Sequence, residues 1–188
     1  MTTLVEKPTL TVFVGPNGAG KSSLYRELIR RKPSLQTTPY VNADDLTRTF
    51  GGNNVTGGRM AIQQRKALLS ANQSFIWETT GSGKNEIAFI QKAKSSGYHV
   101  DIRFIGLSSP KRALDRVKVR VLTGGHAVPK EDILRRFDRV MEKFGEYNNV
   151  ADEFRAYDNS AEHHRLFSWK KIEPSFVNRT CRLGYTNS

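Results

Sequence analysis

The chain predicts an α/β fold of the P-loop NTPase type, a doubly wound, mostly parallel sheet with helices on both faces. Three observations carry that expectation. The apolar run Leu10-Thr11-Val12-Phe13-Val14 leads directly into Gly15-Pro16-Asn17-Gly18-Ala19-Gly20-Lys21-Ser22, which matches the phosphate-binding pattern G-x-x-x-x-G-K-[ST]. That loop opens straight into a helix-like stretch, the context in which such a loop works. Glycine and proline then divide the rest of the chain into alternating strand-like and helix-like pieces, with no internal repeat or low-complexity tract. Such alternation builds a parallel sheet wrapped by helices.

The elements follow in order. After the first strand and the loop, Lys21 to Arg31 places Leu24, Leu28 and Ile29 on one helical face, and Pro33 marks the end. Tyr40-Val41-Asn42 is a short second strand, expected beside the strand that bears the loop. Asp44 and Asp45 open another helix. Gly51, Gly52, Gly57 and Gly58 predict a mobile loop before a helix from about Met60 to Ala71. Ser74-Phe75-Ile76-Trp77 reads as a buried strand with Glu78 at its end. A helix from Asn85 to Ser96 stops at Gly97, and Val100 to Leu107 is the longest strand. Ser109 caps and Pro110 starts a helix to Thr123, broken by Gly124-Gly125. Pro129 opens the next, which reaches about Phe144. Arg155 to Tyr157 is a late strand ending at Asp158-Asn159, and Leu166 to Trp169 is another at the sheet edge.

At 188 residues and 37% hydrophobic content the chain suits one domain, with its core from about 9 to 160 and an edge strand and basic tail over 161–188. Cys181 is the only cysteine, which excludes an intrachain disulfide. Its place in a polar tail argues against metal binding or nucleophilic use. The first eight residues show no basic start followed by an apolar core, and no apolar run approaches membrane-spanning length. A cytoplasmic setting without a membrane partner is expected. The net charge of +12 gathers in two places. One holds Lys111, Arg112, Arg116, Lys118, Arg120, Arg135, Arg136 and Arg139, the other Lys170, Lys171, Arg179 and Arg182. A solvated surface that serves the nucleotide explains this; a polyanionic partner such as nucleic acid is the alternative.

The loop residues Gly15, Pro16, Asn17, Gly18, Ala19, Gly20, Lys21 and Ser22, with Ser23, are expected to cradle ATP. Glycines there let backbone N–H groups turn inward on a polyphosphate, and the helix N-terminus adds partial positive charge. Lys21 would hold the β- and γ-phosphates, and Ser22 would offer its hydroxyl to Mg²⁺. Further polar residues collect where strands end, as ligands do in such sheets. Asp44 is placed to take the proton from an acceptor hydroxyl, with a helix N-cap at Asp44 or Asp45 as the plain alternative. Glu78 would hold Mg²⁺ through water or grip a substrate hydroxyl, or else stand as a surface carboxylate. Arg116 and Arg120 share a helical face ahead of the flexible connector from Gly124 to Pro129, and a planar guanidinium suits a transferring phosphoryl group. His126 lies in that connector.

Taken together, Gly15 to Ser22, Val41-Asn42-Ala43-Asp44, Phe75-Ile76-Trp77-Glu78-Thr79-Thr80, Arg120 with Gly124 to Pro129, and Tyr157-Asp158-Asn159 resemble the zeta-toxin family of P-loop kinases. The match spans about Thr9 to Ser160. The resemblance implies an ATP/Mg²⁺-dependent kinase that phosphorylates the 3′-hydroxyl of UDP-N-acetylglucosamine, with a small helical antitoxin that blocks the nucleotide site. It also implies Asp44 as general base, Lys21 as the loop lysine, Glu78 and Thr80 as the substrate-side strand end, and Arg120 as the first of two clamping arginines. His126 aligns with the second. A neutral imidazole cannot supply the same fixed charge, so His126 acts protonated, or Arg116 or another cation substitutes, or transfer is slower. The loop from Gly51 to Gly58 does not visibly reproduce the family's sugar-nucleotide pocket.

The sequence therefore predicts transfer of the γ-phosphoryl group to a hydroxyl of a small molecule. A polynucleotide 5′-hydroxyl or antibiotic kinase is the second enzyme reading. An ATP-driven switch module is the non-transferring one, although a Leu-Ser-Gly-Gly-Gln segment and an apolar strand ending in Asp-Glu are missing. No Asn-Lys-x-Asp guanine-reading motif is present either.

Overall fold

Strand β1 (Thr9–Val14) lies inside the sheet, in the computed structural model that describes residues 7–51, 54–125, 127–161 and 165–168. It pairs in parallel with β3 (Phe75–Thr79) on one side and β4 (His99–Gly106) on the other. Outside these run β2 (Tyr40–Asn42) against β3 and β5 (Glu153–Asp158) against β4, both parallel. An antiparallel edge strand, β6 (Arg165–Ser168), completes the order β2-β3-β1-β4-β5-β6. The expected place of the second strand beside β1 is corrected: β3 sits between them. An inner strand must bury both faces. Phe75, Ile76 and Trp77 satisfy this, whereas β2 has three residues and leaves Tyr40 only partly covered.

Helices cover both faces, as predicted. Leu24 of α1 (Lys21–Arg31), Ala113 and Val117 of α5 (Pro110–Leu122), and Ile133 and Phe137 of α6 (Lys130–Glu142) pack over Phe13, Ile76 and Ile105. On the other face, α3 (Asn54–Ser70), α4 (Glu86–Ser95) and α7 (Phe144–Val150) bring Ala61, Leu69, Ile90, Ala93 and Tyr147 over Leu10, Val12, Trp77 and Phe104. The cap at Ser109 forms as expected, its Oγ accepting the Arg112 amide at 3.4 Å, with Pro110 in the first turn of α5. Among the described residues no helix is long and apolar enough to cross a membrane.

Three expectations need correction or relocation. The segment expected as a loop through Gly58 is helical from Asn54, so Gly57 and Gly58 lie in the first turns of α3. Gly57 is where α3 touches α2 (Ala43–Phe50): a Cβ there would stand 1.9 Å from Thr47 Oγ1 and 2.6 Å from Ala43 O. Its glycine serves close helix contact and not loop freedom. The helix expected to reach Phe144 ends at Glu142, and a separate α7 follows. Gly52, His126, Trp169, Cys181 and the tail cations Lys170, Lys171, Arg179 and Arg182 lie outside the described residues.

The two neighbouring glycines of α3 should respond oppositely to alanine. Gly57→Ala forces overlap and should cost about 1–3 kcal/mol. Gly58→Ala meets nothing within 4 Å and should stabilise the protein by about 0.5–1 kcal/mol through helix propensity. Urea unfolding midpoints of the two variants check this; equal shifts would contradict the packing role of Gly57.

Candidate active site

The phosphate loop joins the buried end of β1 to α1, and sterics fix its course. A Cβ on Gly15 would lie 2.2 Å from Ile105 O, so the loop passes directly over β4. Gly20 has φ 87°, a left-handed conformation that favours glycine, and α1 begins at the next residue with no side-chain cap. Its first amides are thereby left for an anion. Lys21 is buried, and its Nζ donates to Gly15 O at 2.9 Å and Pro16 O at 3.0 Å. Burial pulls its pKa below the usual lysine value, while the Glu78 and Asp44 carboxylates oppose the shift and Arg120 adds to it. At the far side of the loop, Asn159 Nδ2 donates to Ala19 O at 2.8 Å and ties the end of β5 to the cradle.

The period of two along β3 sends successive side chains to opposite faces. Ile76 and Glu78 turn toward α1; Trp77 and Thr79 turn toward α3 and α4. Ser22 Oγ donates to both Glu78 oxygens, each at 3.0 Å. The Tyr40 hydroxyl also donates to Glu78 Oε2, and Asn42 Nδ2 donates to the Tyr40 oxygen at 3.2 Å. Tyr25 stacks on Tyr40 with centroids 4.0 Å apart. Burial, followed by the adjacent Glu78 charge, pushes the Tyr40 phenol well above the usual tyrosine value.

Asp44 stands in the first turn of α2, exposed. The helix cap is Asn42, whose Oδ1 accepts the Asp44 amide at 2.9 Å, so the alternative of a cap at Asp44 or Asp45 is set aside. Asp45 pairs with Arg48 instead. No hydrogen bond or ion pair engages the Asp44 carboxylate among the described residues.

Three adjoining cavities surround these groups. The first, about 860 Å³, is bounded by Gly18, Gly20, Lys21, Ser22, Ser23, Arg116 and Arg120. A second, about 460 Å³, lies between the loop, α3 and the end of β3, and is lined by Asn17, Asp44, Arg65, Glu78, Thr80 and Arg120. The third, about 950 Å³, has Ser22, Tyr40, Asp44 and Arg120 on its wall. Arg120 thus borders all three. Arg116 borders only the first of these, and its guanidinium donates to Ala161 O at 3.1 Å. Thr80 Oγ1 lies 3.1 Å from Ser82 Oγ. Lys21, Ser22, Asp44, Glu78 and Arg120 are brought together, with Thr80 on the shared second cavity; His126 lies outside the described residues.

Sequence reasoning missed Tyr40, Asn42, Arg65, Glu86 and Tyr147. Glu86 accepts from Thr79 Oγ1 at 2.5 Å and from the Tyr147 hydroxyl at 2.9 Å, which fixes the turn after β3. The signal for Arg65 was legible, because it interrupts the buried stripe Ala61, Arg65, Leu69 at four-residue spacing.

The fit to a divalent cation can be judged from the donors. Ser22 and Glu78 present hard oxygen ligands within hydrogen-bond distance of each other, the chemistry that Mg²⁺ takes. Among the described residues no group of three or more His, Cys, Asp or Glu converges, so an ion would complete its shell with phosphate oxygens and water.

A parallel sheet ordered in this way, with a phosphate loop between β1 and α1 and an acid on the neighbouring strand, defines a P-loop α/β protein of the kinase-like kind. The chain belongs to the AAA-domain family, whose model matches residues 10–144. It is similar to an uncharacterized protein of Haemophilus influenzae, 28% identical over 130 residues that cover 66% of this chain and 89% of that protein. Its fold is similar to a chain of the AvrRxo1-ORF1:-ORF2 complex solved with ATP, at TM-score 0.74 and 16% identity, over 96% of this chain and 65% of that one. This chain therefore spans less than two thirds of that protein's length. The PezAT toxin–antitoxin system of Streptococcus pneumoniae shares the fold at TM-score 0.61 and 14% identity, with 95% and 85% of the two chains covered.

Half-buried Tyr40 and buried Tyr147, both shifted upward first by burial and then by a carboxylate, generate an alkaline signature. The folded state keeps these phenol protons where the unfolded chain releases them, so stability is full below about pH 10 and falls above it. Each contributes a slope of about 1.4 kcal/mol per pH unit. Unfolding titrations of wild type and the Tyr40→Phe/Tyr147→Phe variant should diverge in slope above that pH; parallel curves would contradict the shifts.

Proposed function

We propose that the protein is an ATP- and Mg²⁺-dependent kinase that transfers the γ-phosphoryl group to a hydroxyl of a small molecule. One observation carries this reading. A carboxylate that no described residue hydrogen-bonds, Asp44, shares a cavity wall with the two cations Lys21 and Arg120, at the mouth of an uncapped phosphate loop. A charge-balancing pair facing a free base is what phosphoryl transfer to an alcohol requires.

The roles divide accordingly. The loop from Gly15 to Ser23 holds the nucleotide through backbone amides, and Lys21 leaves its two carbonyl partners for phosphate oxygens. Arg120 neutralises charge on the transferring group from its position at the junction of the cavities. Asp44 takes the hydroxyl proton as the new O–P bond forms and the bond to the ADP oxygen breaks. Ser22 and Glu78 would hold Mg²⁺, which would draw charge from the β- and γ-phosphates. Arg116 supports the phosphates from the far wall, and Thr80 on the second cavity meets the acceptor.

The finer reading follows the zeta-toxin resemblance: UDP-N-acetylglucosamine as acceptor and a small protein as antitoxin over the nucleotide site. The shared fold with the PezAT toxin–antitoxin system supports the antitoxin part of this reading.

Replacing Asp44 with Asn should lower kcat by about 10²–10⁴-fold and leave ATP affinity nearly unchanged, measured with labelled ATP against a metabolite panel that includes UDP-N-acetylglucosamine. Full activity in Asp44→Asn would remove that residue from the mechanism. Expression of the wild type should arrest bacterial growth where the Asp44→Asn variant does not; harmless expression of an active enzyme would contradict the toxin reading alone. Glu78→Gln should raise the Mg²⁺ concentration for half-maximal activity by about 10-fold or more. An unchanged Mg²⁺ dependence would place Glu78 elsewhere.

A further inference from the structure

Arg65 is the least expected residue on the wall of the second cavity, which the kinase reading gives to the acceptor. It is 9% exposed, at the middle of the buried side of α3, and its Cζ lies 4.2 Å from the Trp77 ring centroid and 4.5 Å from that of Phe89. The guanidinium makes no hydrogen bond or ion pair among the described residues, and its Nε is sealed from solvent without a partner. Glu86, the carboxylate whose charge acts on it, has its oxygens taken by the Thr79 and Tyr147 hydroxyls.

A buried guanidinium with no counter-anion is costly. Leucine or methionine would fill the same space against the rings with no charge to desolvate. The aromatic faces offset part of the cost but accept none of the fork's directed N–H bonds. The cavity around Arg65 has the matching bias. Its wall carries five cationic side chains, Lys21, Arg65, Lys84, Arg120 and Arg136, against the carboxylates of Asp44, Glu78 and Glu86. Two of those carboxylates are already engaged by hydroxyl donors. On the same wall, the buried Asn17 Oδ1 has no hydrogen-bond partner among the described residues and can accept from a ligand hydroxyl.

We propose that Arg65 is the anion subsite of the acceptor pocket, so that the molecule phosphorylated is a hydroxyl-bearing carboxylate or phosphate ester. Its anionic group sits on Arg65, and one of its hydroxyls faces Asp44. The proposal rests on the kinase reading and adds the chemical class of the acceptor to it. Arg65 selects by bidentate pairing from a dry site, where a neutral polyol would leave the guanidinium as unpaired as before.

Calorimetric titration of the full chain, with Mg²⁺ and a non-hydrolysable ATP analogue saturating the phosphate loop, tests this. The probes are glycerol 3-phosphate, glycerate and their neutral parent glycerol. At least one anion should bind about 10-fold or more tightly than glycerol, and Arg65→Met should erase the difference. Arg65→Lys, which keeps the charge without the fork, should retain part of it. Preference for glycerol 3-phosphate assigns a phosphate ester, and preference for glycerate a carboxylate. Equal or absent binding of all three in wild type would overturn the proposal, as would anion binding unchanged in Arg65→Met. The Arg65-dependent part is a difference between two proteins, so it is read whether or not the analogue binds. Failure of the analogue to bind would contradict the kinase reading alone.

Discussion

The parallel register of β1 and β3 is the constraint on which the site depends. It sets Phe13 opposite Glu78, so the acid of β3 arrives beside Ser22, the second residue of the helix that β1 launches. Shifting that pairing by one residue would turn Glu78 to the α3 face and put Trp77 against the phosphate loop. The apolar residues hold the register: Phe75 and Trp77 on one face and Ile76 on the other are each almost wholly buried. Burying each of these side chains contributes about 1.5–3 kcal/mol, more than any surface ion pair in the molecule.

From that register the polar parts follow. Glu78 is approached by Ser22 and Tyr40, and Tyr40 is in turn fixed by Asn42 and stacked on Tyr25. Asn42 does double duty, since its Oδ1 caps α2 and so leaves the next acid, Asp44, with its carboxylate unclaimed among the described residues. On the opposite face of β3, Thr79 recruits Glu86, which Tyr147 holds from α7. One strand thereby presents Glu78 to Ser22 on one face and, through Thr79, anchors Glu86 and Tyr147 on the other. Arg120 stands on the border of all three cavities.

Much of this was legible in the residues. The phosphate loop is a local motif with local causes, and Lys21, Ser22 and the start of α1 fell where the pattern put them. Strand order was not legible, because spacing along the chain says nothing about which strand takes the inner slot; the burial of Phe75 to Trp77 decided it. Gly57 misled for a related reason, since glycine for a turn and glycine for helix contact look alike until α2 lies against it. Asn42 as cap was hidden behind the two aspartates that follow it, both equally good cap residues by type. Arg65 was visible as a charge on an apolar stripe, but its two ring contacts come from β3 and α4 and exist only in three dimensions.

The most direct measurement is a crystal structure of the protein with Mg²⁺, a non-hydrolysable ATP analogue and a hydroxyl acceptor. The account predicts the acceptor oxygen about 3–3.5 Å from the γ-phosphorus and within about 2.6–3.2 Å of the Asp44 carboxylate, with Lys21 and Arg120 on the phosphate oxygens. An Asp44 side chain turned to bulk water in that complex, with no carboxylate in reach of the acceptor, would contradict it.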